Sequence, residues 1–317
     1  MDDGRLHRGL PPPGVLAGEV VATIGVFDGV HLGHRRLLHA VAGDAGGAGE
    51  TVLITFDPHP RCILDPAGCP PLLTAPAERA MLAVGCGVST TIVVPFTREL
   101  STWTAERFCD RLLESMALRR LWIGPGFALG RGREGNEEFL SRYGAAHGFE
   151  VRTVAPLVID GERVSSGAVR AALAAGRVDR AAELLGRPYR LRGTVERGDG
   201  RGRTLGFPTA NLAVAAERCV PAAGIYATWF GADGRWYPAA TSIGTRPTFG
   251  GASRTIEGHL LDADVDLYGA DARLDFVARL RDELAFPNAD TLVAQMRDDV
   301  RAVAAVLEGR REPEMLP

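Results

Sequence analysis

His31 and His34 stand three residues apart in Ile24-Gly25-Val26-Phe27-Asp28-Gly29-Val30-His31-Leu32-Gly33-His34, directly after an apolar run. If a helix starts there, both rings lie on one face of its first turn. Free backbone N–H groups and the helix dipole at such a terminus attract anions, and imidazoles add donors for phosphoryl oxygens. Gly25 and Gly29 permit close backbone approach and positive φ, and Gly33 leaves the helix start uncrowded. The chemistry this suits is attack at an α-phosphate. Two solvated histidines on an ordinary strand-to-helix turn are the plain alternative, and the GxFDG turn around them argues against it. Thr55-Phe56-Asp57-Pro58-His59-Pro60 follows a second apolar run, which would aim His59 at the same crevice. Taken alone, that segment reads equally well as a proline-stiffened turn.

A second cluster lies far along the chain. Arg197-Gly198-Asp199-Gly200-Arg201-Gly202-Arg203 leads through Phe207 and Pro208 to Thr209-Ala210-Asn211. Repeated glycines let backbone N–H groups face phosphate oxygens. Thr209 and Asn211 are two apart, so in an extended segment they point the same way. A hydroxyl and an amide oxygen are hard ligands suited to Mg²⁺, which also takes substrate phosphates. The glycine loop by itself would be a flexible surface loop; the PTAN ending argues against that. Glu257, in the alternating run Thr255–Leu261, is a carboxylate able to take the proton of an attacking hydroxyl. In isolation it reads as an outward-facing strand glutamate, and His259 on the same face as polar support.

Composition removes several other classes. The 36 basic residues are all arginine, because the chain contains no lysine. That excludes a Walker A loop and every Schiff-base mechanism. With 36 basic against 39 acidic residues the net charge is −3, so there is no basic footprint for nucleic acid. The amino terminus has acids first and no apolar core, and no apolar run approaches the roughly 20 residues of a membrane span. A cytoplasmic protein with small-molecule partners is expected; self-association stays open. The five cysteines, Cys62, Cys69, Cys86, Cys109 and Cys219, contain no CxxC pair. Buried free thiols are expected, rather than a disulfide or a zinc site.

The elements that must hold these residues change character along the chain. Strand-like runs at Val20–Val26, Thr51–Thr55, Thr91–Val94, Leu121–Ile123 and Val151–Val154 alternate with helical stretches at His34–Ala42, Ala77–Val84 and Ala105–Ser115. Continuous apolar strands separated by helices predict a doubly wound parallel α/β sheet. Two further helices, Gly167–Ala175 and Asp179–Leu185, lead to a Gly/Pro break at Gly186–Tyr189. Beyond it, β-rich runs at Leu191–Val195, Ile225–Phe230, Trp236–Ile243, Thr255–Leu261 and Arg273–Leu280 predict an antiparallel barrel or sandwich. One helix, Ala289–Leu307, closes the chain. The expected domains are 1–186 and 187–317.

The first motif resembles the HxGH nucleotidylyltransferases. Both motif sets, in this order, resemble the prokaryotic bifunctional riboflavin kinase/FMN adenylyltransferase family, the FAD synthetases. The likeness runs from about Val20 to Ala304 and takes in Val164-Ser165-Ser166…Arg170, Leu184-Leu185-Gly186-Arg187-Pro188-Tyr189 and Ile243-Gly244-Thr245-Arg246-Pro247-Thr248-Phe249. It continues through Glu257, Leu267-Tyr268-Gly269 and Leu280-Arg281-Asp282-Glu283. The resemblance implies an antiparallel β-barrel kinase domain that moves the γ-phosphoryl of ATP to riboflavin. Thr209 and Asn211 would hold Mg²⁺, Glu257 would be the base, and Gly198, Gly200 and Arg203 would lie on nucleotide phosphates. It also implies an adenylyltransferase domain that joins FMN to a second ATP, giving FAD and pyrophosphate. There His31 and His34 would stabilise the reacting phosphorus, while Gly25, Phe27, Gly29, Ser166 and Arg170 would bind ATP. His59, Phe127 and Arg281 are the residues implied for flavin.

The departures concentrate on one activity. The family pattern G-x-[DN]-F-x-F-G reads here Gly124-Pro125-Gly126-Phe127-Ala128-Leu129-Gly130, and Gly167 stands where threonine is usual after the paired serines. Ser242 replaces an asparagine in the kinase half, a mild change. The adenylyltransferase is therefore intact with other groups substituting, altered in preference, or fading beside a working kinase. The retained HxGH turn favours the first. A noncatalytic flavin-nucleotide sensor is the remaining class, and the retained Glu257, Thr209 and Asn211 count against it.

Overall fold

The structure is a computed structural model, and it describes residues 6–16, 18–46, 49–198, 202, 205–248, 251–263 and 265–313. The chain divides into two compact units, Met1–Ser166 and Gly167–Pro317.

The first unit runs β1 (Leu6–Arg8), β2 (Glu19–Ile24), α1 (Leu32–Ala45), β3 (Glu50–Asp57), α2 (Pro60–Leu64), α3 (Pro76–Val84), β4 (Thr90–Pro95), α4 (Ala105–Ser115), β5 (Ala117–Ile123), α5 (Glu137–His147) and β6 (Glu150–Thr153). A two-residue hairpin, β7 (Val158–Ile159) and β8 (Glu162–Arg163), follows. β1 to β6 form one parallel sheet in the order β1-β4-β3-β2-β5-β6. The central strands are apolar almost throughout because helices cover both faces, as the continuous runs predict. Strand order reverses beside β2, so the turn after β2 opens at the carboxyl edge where such sheets bind ligands.

The second unit begins with α6 (Ser166–Ala174) at the boundary and α7 (Val178–Leu185). It continues through β9 (Tyr189–Glu196), β10 (Ala210–Ala213), β11 (Gly224–Ala232), β12 (Arg235–Thr248), β13 (Gly251–Leu260), β14 (Asp271–Arg281) and α8 (Ala289–Leu307). The six strands close an antiparallel barrel, β10-β13-β12-β11-β14-β9. Side-chain alternation fills it from one face: Tyr226, Phe230 and Phe276 are fully buried, with the Tyr226 and Phe276 rings edge to face at 5.3 Å. The opposite register of β11, Ala227 and Trp229, joins Val303 and Leu307 of α8 in a second apolar cluster. β11 is thus buried on both faces, which is why it reads as a continuous apolar run. α7 buries Val178, Ala181, Leu184 and Leu185 and packs on β9 and β14, so these helices belong to the barrel unit. The Gly186 break is the left-handed end of α7.

Besides the short β1, α2, β10 and β7–β8, which were also not expected, two features depart from expectation. The first is α5, which the strand-to-helix reading passed over. Its signals are local: the Asn136 side chain accepts from Phe139 N at 2.9 Å, Glu137 and Glu138 occupy the first turn, and Gly148 closes the helix at positive φ. The second is a correction to the cysteine reading. Cys62 and Cys69 form a disulfide, leaving Cys86, Cys109 and Cys219 as buried free thiols. α2 turns the chain after His59, and Asp65 accepts from Gly68 N at 3.2 Å, folding the segment back so that two cysteines seven apart meet. No spacing rule predicts such a pair. Burial first, then the charge of Asp110, pushes the Cys109 thiol up to about 12. Alkylation of the denatured protein is therefore expected to label three thiols before reduction and five after it, read by intact mass.

Candidate active sites

In the first unit, the turn from Gly25 to His34 combines two unusual backbone states. Phe27 and Val30 carry positive φ values of 52° and 40°, conformations that cost L side chains on the order of 1–3 kcal/mol each. The Asp28 carboxylate holds them. Fully buried, it accepts from Leu73 N at 3.0 Å, Thr74 N at 2.9 Å and Thr74 Oγ1 at 3.2 Å, while Gly29 N donates to Thr74 Oγ1 at 2.9 Å. Ser166 Oγ donates to the Asp28 carbonyl at 2.7 Å.

The turn delivers His31 as the N-cap of α1. Its Nδ1 accepts from His34 N at 3.2 Å, and the two rings stack at 3.6 Å between centroids. A neutral His31 with Nδ1 accepting carries its proton on Nε2, as a donor. A side chain at Gly33 would come within 3.2 Å of the His31 ring, so glycine keeps the stack in place. The Phe27 ring lies 4.7 Å from that of His34. Burial lowers the His34 pKa well below the ordinary imidazole value; a positive charge on His31, whenever that ring is protonated, and the charge of Arg79 act in the same direction.

A cleft of about 310 Å³ opens over this turn, lined by Gly25, Phe27, His31, His34, Phe127 and Ser166 among others. The structure thus brings together most of the first motif set. Gly29 lies in the turn itself. His59 caps α2, with Nδ1 accepting from Arg61 N at 3.1 Å, and is not among the cleft-lining residues. Arg170 lies one turn beyond Ser166 on α6, in the second unit. Gly126 has φ of 72° and open space where a Cβ would stand, while Arg133 donates to its carbonyl at 2.8 Å. Leu129 packs on Gly135 in the apolar core, away from the cleft. Gly167 is exposed in the first turn of α6.

In the second unit, Asn211 of β10 lies directly opposite Glu257 of β13, which lies opposite Ser242 of β12. Cross-strand partners share a face, and this is the outer one, since Ile256 and Leu260 point inward. Thr209 Oγ1 donates to Glu257 Oε2 at 3.3 Å. A cleft of about 310 Å³ includes Thr209, Ser242, Glu257, His259 and Arg281, with Leu292 and Met296 of α8 on its far wall. His259 Nδ1 lies 2.8 Å from the Pro208 carbonyl, supporting the strand before Thr209. Arg281 holds α8: Nε and Nη2 donate to the two oxygens of Asp299 at 2.8 and 2.6 Å. Gly198 packs so closely on Asn211 that a Cβ would fall 2.2 Å from its Nδ2. Gly200 and Arg203 lie outside the described residues.

A family model described as FAD synthetase matches residues 16–168, and one described as riboflavin kinase matches residues 185–307. The bifunctional riboflavin kinase/FMN adenylyltransferase of Pseudomonas fluorescens is 38% identical over 90% of this chain and 92% of its own. This chain belongs to that bifunctional family. The Escherichia coli K12 member is 37% identical over 89% of this chain and 91% of its own. A crystal structure from Streptococcus pneumoniae, described as a macrolide-efflux protein, matches with a TM-score of 0.86 at 28% identity, covering 94% of this chain and 98% of that one. Efflux describes that protein; among the described residues here, no helix is long and apolar enough to cross a membrane.

Sequence motifs missed Thr74 and Arg79. Each sits far from the motif it supports, and Arg79 in Ala77-Glu78-Arg79-Ala80 reads as an ordinary surface helix arginine. The depressed His34 pKa carries a consequence. The unfolded chain binds a proton near pH 6.5 that folded His34 does not, so its contribution to stability is complete above pH 6.5 and declines as pH falls below it. NMR titration is expected to show the His34 ring still neutral at pH values well below the ordinary imidazole range.

Proposed function

We propose that the barrel unit transfers the γ-phosphoryl of ATP to the ribityl 5′-hydroxyl of riboflavin, and that the first motif set transfers AMP from a second ATP to FMN, releasing pyrophosphate. What carries this reading is that Gly25, Phe27, His31, His34 and Ser166 of the first motif set line one cleft of about 310 Å³, and Thr209, Glu257 and Arg281 of the second line another. The functional domains proposed are 1–186 and 187–317, with Ser166 and Arg170 serving adenylyl transfer.

The two steps ask different things of the protein. A ribityl hydroxyl must lose a proton as it attacks, and Glu257 is the carboxylate beside the ligands to receive it. The FMN phosphate is already anionic, so adenylyl transfer needs no base. It needs donors on the oxygens around the α-phosphorus, which a neutral His31 Nε2–H and the N-terminal N–H groups of α1 supply. A neutral His34 fits that role.

Among the described residues no group of three or more His, Cys, Asp or Glu could hold a metal, so a cation in the kinase site depends on other oxygens. Thr209 donates its hydroxyl proton to Glu257, leaving the oxygen's lone pairs outward, and Asn211 lies opposite Glu257 in register. That donor set fits Mg²⁺, and Thr209 and Asn211 would hold it. Bound there, Mg²⁺ would neutralise phosphate charge. Gly198, Gly200 and Arg203 would cover the nucleotide phosphates. Arg281 would border the flavin while holding α8 through Asp299, and Phe127 would border the flavin in the other site. A cytoplasmic location accords with these substrates.

A chromatographic time course with riboflavin, ATP and Mg²⁺, repeated from FMN, tests both halves. Wild-type protein is expected to accumulate FMN and then FAD. Glu257→Gln is expected to slow FMN formation by about 10²–10⁴-fold while FAD still forms from supplied FMN. His31→Ala is expected to do the reverse, with a loss of about 10²–10³-fold in FAD formation. FMN without FAD from wild type would leave a kinase beside an impaired adenylyltransferase, as Gly126 and Gly167 would then explain. Flavin binding without turnover would make the protein a sensor.

A further inference from the structure

Arg79 of α3 heads the fully buried large side chains, although its guanidinium carries a charge that burial disfavours. One nitrogen, Nη1, donates to the Val26 carbonyl at 3.1 Å, the Phe56 carbonyl at 3.0 Å and Thr55 Oγ1 at 3.0 Å. Thr55 Oγ1 in turn donates to the Val26 carbonyl at 2.8 Å. Val26 immediately precedes the turn that carries His31 and His34; Phe56 immediately precedes the Asp57-Pro58-His59 loop. One side chain therefore joins the carboxyl ends of β2 and β3 at the point where each becomes a motif loop.

We propose that Arg79 is a positioning residue for adenylyl transfer, fixing the His31–His34 turn against the end of β3 and setting the charge environment in which His34 works. This rests on adenylyl transfer occurring at that turn. The charged groups around His34 are few. His31 stacks on it from the same turn, Arg79 acts from α3, and Arg163 lines the facing wall of the cleft. Asp28, the nearby carboxylate of the turn, is engaged by Leu73 and Thr74. The charge of Arg79 disfavours a proton on His34, which keeps the ring neutral beside an incoming phosphate.

The test uses the full chain, where riboflavin phosphorylation is an internal control, and the variants Arg79→Met, Arg79→Lys and Thr55→Val. Arg79→Met is expected to lower kcat for FAD formation at least 30-fold with KM for FMN within threefold and kinase kcat within twofold. Arg79→Lys keeps the charge and is expected to restore kcat to within about fivefold of wild type. The His34 titration, followed by NMR, should move to higher pH in Arg79→Met and stay in place in Arg79→Lys. Thr55→Val, which removes the hydroxyl shared by Arg79 and Val26, should lower FAD kcat three- to tenfold and spare the kinase. FAD kcat within threefold of wild type in Arg79→Met, or no recovery in Arg79→Lys, overturns the proposal. If Arg79→Met does not fold, Thr55→Val decides: a selective loss of FAD formation supports the proposal and an unchanged rate overturns it. Wild-type protein that makes no FAD would instead overturn the assignment of adenylyl transfer, and the His34 titration would still test the placement of Arg79.

Discussion

Donors from Leu73 and Thr74 converge on the Asp28 carboxylate, and the His31–His34 turn takes its shape from that convergence. Without it, Phe27 and Val30 would relax from positive φ, and the N-cap would no longer place one imidazole over the next. Charge-assisted hydrogen bonds of about 1.5–3 kcal/mol each are large enough to offset backbone strain of about 1–3 kcal/mol at each of those residues. Arg79 complements this from the other side by gripping carbonyls where Asp28 grips N–H groups. Opposite charges, one on each side of the turn, satisfy both kinds of backbone group in a place with little water.

Absence of lysine shapes the rest of the chemistry. The donors open to a triphosphate are guanidiniums, imidazoles and backbone N–H groups, and the two units present them differently. The parallel sheet presents a helix terminus at a strand-order reversal, where N–H groups already point outward. The barrel presents its outer face, where cross-strand register sets Asn211, Glu257 and Ser242 side by side, the last two lining a cleft with α8. Its interior is filled by Tyr226, Phe230 and Phe276, so the barrel is a packed support and only its outside is open to a ligand. The bidentate Arg281–Asp299 pair ties α8 to β14 and so sets one wall of that cleft.

Much of this was legible in order along the chain. The apolar runs before His31 and His59 announced strands that end at the ligand-binding edge, and the alternation around Glu257 announced an outward carboxylate. Helix α8 was legible close to its observed ends. Local signals also existed for α5, in its Asn136 cap and Gly148 stop, although neighbouring turns obscured them. Nothing local could mark the Cys62–Cys69 bond or Arg79. Their meaning depends on which distant backbone atoms they meet.

The sequence by itself determined the chemistry available: imidazoles at a helix start, a hydroxyl and an amide two residues apart, a carboxylate on an alternating strand, and no ammonium group. Periodicity determined the two architectures, since burial on both faces or on one dictates a continuous or an alternating pattern. Tertiary structure alone decided which residues share a cleft. It placed Phe127 beside His31 and His34, removed Leu129 to the core, and turned Arg281 toward Asp299. It also buried Arg79 beneath a turn more than forty residues away in sequence. Such pairings arise from strand order and register, which are settled by packing over the whole unit, and no window of neighbouring residues contains them.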